Sequence, residues 1–128
     1  IQYGVWMDVC FIPFFFLNAK VICLDIKAIN EQLKLGKGYV LNFVLKDTPS
    51  YDLVEAATDY AANSGRTLTV YTEEPGVQFY SGIFLDGSTP QASGLVHNFR
   101  SGFCLEPHHF PDGPNQPTFP STPLLPRS

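Results

Sequence analysis

The chain is short of cysteine, of positive charge and of clean apolar stretches. Its three cysteines, Cys10, Cys23 and Cys104, are odd in number and lack metal-ligand spacing, so no disulfide framework is indicated and a reducing, cytoplasmic compartment is the simpler expectation. Eight basic residues are scattered among 128, against twelve acidic ones and a net charge of −4. That leaves no electrostatic footprint for nucleic acid, whose binding rests on clustered Lys and Arg. The most apolar run, residues 9–24, is interrupted by Pro13, Asn18 and Lys20, well short of the roughly 20 clean residues a membrane helix requires. Asp8 stands where a secretory leader would be positive, and no small-residue cleavage site follows. Neither nucleic acid nor a membrane is an expected partner.

What is present suits a folded domain: 45% hydrophobic and 14% aromatic residues can supply a core. Residues 1–25 form an apolar segment with no assignable partner strand, and low order is expected up to about residue 20. Ile26, Ile29 and Leu33 have helical spacing, predicting a short helix or a turn over 26–35. Tyr39 to Lys46 is bounded by glycines on one side and by Asp47, Thr48 and Pro49 on the other, as a strand would be. Tyr51 to Ala62 and Arg66 to Thr72 flank Asn63, Ser64 and Gly65 and predict a β-hairpin, with Leu68 and Val70 on one face and Thr67, Thr69 and Tyr71 on the other. Val77 to Phe84 predicts a further strand, and Asp86, Gly87 and Ser88 a turn. Short strands between Gly and Pro turns, without sustained helical periodicity, argue for an all-β antiparallel domain.

The most informative stretch is SGFCLEPHHFPDGPNQPTFPS, Ser101 to Ser121. Ser101 to Leu105 alternate as a half-buried strand would, and Pro107, Pro111, Gly113, Pro114, Pro117 and Pro120 build a stiff loop after it. Glu106 is thereby placed at a strand end beside that loop. Local pattern leaves two readings open, a surface glutamate or a general base aimed at a ligand.

This stretch closely resembles the C-terminal part of aldose 1-epimerases (galactose mutarotases). A second block, SGRTLTVYTEEPGVQFYSGIFLDG from Ser64 to Gly87, resembles the same family in the same order, and the match is nearly continuous from about Gly36 to Leu125. The resemblance implies part of a large twisted antiparallel β-sandwich, with 26–128 as a partial epimerase domain and 1–25 outside it. Family members are roughly two to three times this long on the scale of domain sizes. The chain, which opens on Ile1 and stops after Leu124, Leu125 and Pro126, is therefore expected to be a C-terminal fragment with exposed edge strands.

In that family a glutamate takes the proton of the anomeric hydroxyl and a histidine protonates the ring oxygen, with neither metal nor cofactor. The resemblance places the base at Glu106 and a glutamine that bonds sugar hydroxyls at Gln78. An amide can donate and accept at once, which suits a hydroxyl ligand. The family's Asp-His pair, however, is replaced by Val40 and Leu41 in GYVLNFVL. An aliphatic side chain accepts no hydroxyl bond, and each buried partner left unmade costs about 1 to 3 kcal/mol. None of the three histidines, His97, His108 and His109, matches a catalytic position; His108 stands where relatives commonly carry glutamine.

A metal reading of His108, His109 and Asp112 is disfavoured because adjacent residues of an extended chain point to opposite sides. Cys104 has no matched histidine to activate it as a nucleophile. Gly36 and Gly38 lack the Lys-Ser/Thr ending of a phosphate loop. The expected function is hexose mutarotation on aldose sugars such as glucose and galactose, with this fragment alone inactive. The alternative is a catalytically degenerate carbohydrate-binding β-sandwich.

Overall fold

The computed structural model describes residues 8–9, 13–45 and 52–123. Cys10, the strand end at Lys46, the Asp47-Thr48-Pro49 turn, the hairpin start at Tyr51 and the stop at Leu124 to Pro126 lie outside them. One short helix and five strands follow in order: α1 Glu31–Gly36, β1 Val40–Val44, β2 Val54–Ala61, β3 Arg66–Thr72, β4 Gly76–Tyr80 and β5 Cys104–His108. A three-stranded sheet has the order β1-β4-β5, and β2 pairs with β3. The regular structure of the described chain is thus mostly strand, as its turn punctuation predicts.

The hairpin has the predicted pairing. Thr58 faces Thr69 and Ala61 faces Arg66, with a bulge between Glu55 and Ala57. The Oγ atoms of Thr58 and Thr69 lie 3.1 Å apart, a cross-strand hydroxyl pair of the kind that steadies a two-stranded ribbon. β4 ends at Tyr80, short of the predicted Phe84, because Gly82 at φ +66° turns the chain and a Cβ there would run into the Gly102 carbonyl oxygen. The Asp86 turn forms as expected, with Ser88 N donating to Asp86 Oδ1 at 2.9 Å. The Ser88 side chain, and next its backbone N–H, hold the Asp86 carboxyl below its usual pKa.

The chain divides into two compact units. The first comprises Ile1–Leu41 and Phe79–Cys104, the second Asn42–Gln78 and Leu105–Ser128. In the first, Tyr39 is fully buried and stacks on Phe79 at 5.2 Å, while Phe16 meets both rings edge-on and Phe103 meets Phe79 likewise. Offset and edge-on aromatic pairs add about 0.5 to 1.5 kcal/mol each beyond area burial. Phe14 is only 3% exposed and also touches Tyr39. Lys20 reaches the Pro13 carbonyl at 2.7 Å and Asp25 at 3.1 Å, with its ammonium 4.1 Å from the Phe16 ring. The low order expected up to residue 20 therefore does not extend to 13–20, because these aromatics are anchored by rings remote in sequence. Helix α1 begins only after Asn30, whose side chain caps Gln32 N and Leu33 N; residues 26–29 form turns instead.

In the second unit Val77 and Phe110 are buried, and Phe110 meets Phe119 edge-on at 5.2 Å. The Pro-rich loop is fixed as its composition predicts. Asp112, in the left-handed region at φ +62°, accepts from Asn115 Nδ2 at 2.6 Å and Gln116 Nε2 at 2.9 Å around the 3-10 turn Gly113–Asn115.

Candidate functional site

Two ends of the β1–β4 ladder fix its register. Ser81 N donates to the Tyr39 carbonyl and Leu45 N to the Pro75 carbonyl, each at 3.0 Å. The two contacts are equally far apart along both strands and run in opposite senses, so the pairing is antiparallel and Asn42 stands opposite Gln78, midway. Tyr39 and Phe79 stack on one face. By alternation Val40, Asn42, Val44, Gly76, Gln78 and Tyr80 belong to the other. Space on that face is tight: a Cβ on Gly76 would lie 2.8 Å from Asn42 Nδ2 and 3.0 Å from Phe110 Cε1.

The approach of Gly82 to Gly102, with Arg100 N bonded to the Gly82 carbonyl at 3.0 Å, brings the end of β4 beside the start of β5. The two strands, neighbours in the sheet, therefore run antiparallel. Phe103 meets Phe79 on the aromatic face, so Cys104, Glu106 and His108 project to the face of Gln78 and Asn42. Asn42, Gln78, Glu106 and His108 all lie in the second unit. Glu106 is exposed and Gln78 half-buried.

Glu106 does not end its strand, as its sequence context predicts; β5 starts at Cys104 and runs through Pro107 to His108. Proline lacks the N–H of a ladder donor but is compatible with an outer strand, and β5 is outermost in the described sheet. This correction places His108 two residues beyond Glu106 on one face, about 7 Å along the strand. Its Nε2 is buried without a hydrogen-bond partner, as is Oδ1 of Asn42. Unspent buried polar atoms of this kind are uncommon in folded chains. His108 escapes a sequence reading that ends the strand at Glu106; counting by twos from Glu106 would have found it, and counting by twos from Val40 would have found Asn42.

The remaining histidines are engaged elsewhere. His109 Nδ1 lies 2.6 Å from Glu74 Oε2, and His97 meets the Gln91 side chain in an exposed loop. Among the described residues no three metal-type side chains gather around one point. Cys104 is an exposed free thiol, as is Cys23. No described helix is long and apolar enough to cross a membrane.

Residues 13–127 match the family model described as aldose 1-epimerase. The chain is 48% identical over 106 residues to the galactose mutarotase of Rattus norvegicus and 47% identical over 106 residues to that of Homo sapiens, covering 77% of this chain and 30% of each relative. To the aldose 1-epimerase of Escherichia coli strain K12 it is 38% identical over 107 residues, covering 84% of this chain and 30% of that protein. The chain thus spans under a third of the length of these curated relatives.

Proposed function

The chain belongs to the aldose 1-epimerase family, and we propose that it supplies one wall of a hexose mutarotation site, with Glu106 as general base and Gln78 as a hydroxyl-binding residue. The observation that supports this reading is that β4, which carries Gln78, and β5, which carries Glu106, are neighbours in one sheet. A pyranose resting there would present its anomeric hydroxyl to Glu106. The carboxylate takes that proton, the C1–O bond to the ring oxygen breaks as the C1 carbonyl forms, and the ring oxygen takes a proton from an acid. Rotation about C1–C2 and the reverse steps give the other anomer. Neither charge can build up alone without a large penalty, so acid and base must act on the same ring. Gln78 donates to one hydroxyl and accepts from another, fixing the ring's position.

No cofactor enters this scheme, and a cytoplasmic setting accords with exposed free thiols at Cys23 and Cys104. The degenerate-binder reading retains support from one observation: Val40 occupies the same face as Gln78, where an aliphatic group offers sugar hydroxyls nothing.

Saturation-transfer NMR with galactose on the full chain tests the site. We expect galactose signals that weaken roughly tenfold or more in Gln78→Ala, the loss of a buried hydroxyl partner, with Glu106→Gln retaining binding. Galactose signals indifferent to Gln78→Ala would place sugar recognition elsewhere.

A further inference from the structure

The chain is acidic as a whole, yet four of its eight basic residues, Lys27, Lys34, Lys37 and Arg100, line one hollow of about 620 Å³. Glu31 is the single acid on its wall. The hollow lies wholly within the first unit, and none of the residues assigned to sugar contributes to it. Its volume falls in the range of small-molecule sites, roughly 300 to 1,000 Å³. Its floor includes the buried side chains of Ile26 and Leu33.

Arg100 is held there at some cost. Its backbone sits at φ +61°, in the left-handed region that non-glycine residues seldom occupy. Its Nη2 donates to the Lys37 carbonyl at 2.6 Å, and the guanidinium lies 4.7 Å from the Phe99 ring centroid. Lys37, which presents that carbonyl, is the left-handed C-cap residue of α1 at φ +54°. Arg100 Nε is enclosed by protein and has no acceptor, so the donors a ligand in the hollow would meet are the outer guanidinium nitrogens. A guanidinium carries five N–H donors in a planar fork, and here one acceptor engages it. Arg100 is thus held against the end of α1, beside the three lysines that line the same hollow.

We propose that this hollow binds a small organic oxyanion, a phosphate or carboxylate attached to an apolar body. Arg100 receives the oxyanion, the exposed lysines at the rim add attraction, and Ile26 and Leu33 accept the apolar part. A neutral ligand of the same shape would leave the four cations unrewarded, and an inorganic ion would leave the apolar floor uncovered.

Amide and side-chain NMR titration of the full chain, at constant ionic strength, tests this with millimolar phenyl phosphate, benzoate, benzyl alcohol and inorganic phosphate. Phenyl phosphate or benzoate should shift residues 26–37 and Arg100 Nε–H in a saturable way, and whichever binds identifies the headgroup. Benzyl alcohol should not shift them, and inorganic phosphate should bind roughly tenfold more weakly than the aryl anion. Arg100→Gln should weaken binding by about tenfold to a hundredfold, the loss expected for a charge-assisted bond. Because Arg100 also holds Lys37, the double variant Lys27→Gln, Lys34→Gln, both exposed positions, provides an independent reduction with the β2–β3 hairpin signals unchanged. The absence of saturable shifts, equal response to benzyl alcohol, or affinity unaltered by the double variant would overturn the proposal.

Discussion

Val40 projects to the same face as Gln78, two residues from Asn42, whose Oδ1 is buried and unpartnered. A carboxylate at position 40 would return a hydroxyl acceptor to that face. Val40→Asp should therefore tighten galactose binding by about 1 to 3 kcal/mol, read by calorimetric titration; unchanged affinity would show that β1 does not meet the sugar. Tyr39, one residue earlier, faces the other way. Its phenol is pushed up to about 12, chiefly by burial and further by the charge of Asp25. The folded state thus keeps a proton that the unfolded chain releases near pH 10, so this contribution to stability is whole below pH 10 and drains away as pH rises toward 12. Denaturant titrations of Tyr39→Phe should show a shallower loss between those pH values. Gln78 and Glu106 are legible in the sequence only through family resemblance, since each alone reads equally well as a polar residue on a strand surface.

Among the elements, those built from local contacts were the most legible. The β2–β3 hairpin follows from alternation and from Asn63, Ser64 and Gly65. β5 is harder to read, because a proline that would break a central strand is tolerated on an outer one. The packing of residues 13–16 could not be read at all, since its partners are rings at positions 39 and 79. The adjacency of β4 and β5, which carry Gln78 and Glu106, is likewise a product of pairing between strands nearly thirty residues apart. Two turn glycines separate backbone strain from steric fit. A Cβ added to Gly65, at φ +70°, would meet nothing within 4 Å, whereas one added to Gly82, at φ +66°, would strike the Gly102 carbonyl. Gly65→Ala should cost about 1 to 2 kcal/mol, the left-handed penalty alone, and Gly82→Ala distinctly more, as urea midpoints would show.

At the scale of the whole molecule, the proposed site joins the carboxylate of Glu106 to the amide of Gln78, and the family resemblance assigns none of His97, His108 and His109 to a catalytic position. A missing proton donor typically removes a factor of about 10² to 10⁴ in rate. The chain alone should therefore leave the mutarotation of freshly dissolved α-glucose at its solvent rate by polarimetry. A protein-dependent rate abolished by Glu106→Gln would mean that a residue such as His108 supplies the acid.

The aromatic cluster around Tyr39 has a consequence in time. It gathers side chains from residues 14, 16, 39, 79 and 103, so no contiguous piece of chain contains it, whereas the β2–β3 hairpin closes directly from Ala61 to Arg66. Hairpins form in about 1 to 10 μs, and contacts between remote segments must first meet the entropy of closing long loops. Pulse-labelled hydrogen exchange during refolding should find amides of 54–72 protected while those of Tyr39 and Ser81 still exchange. The order in which this chain becomes itself would then run from its simplest ribbon to its most scattered core.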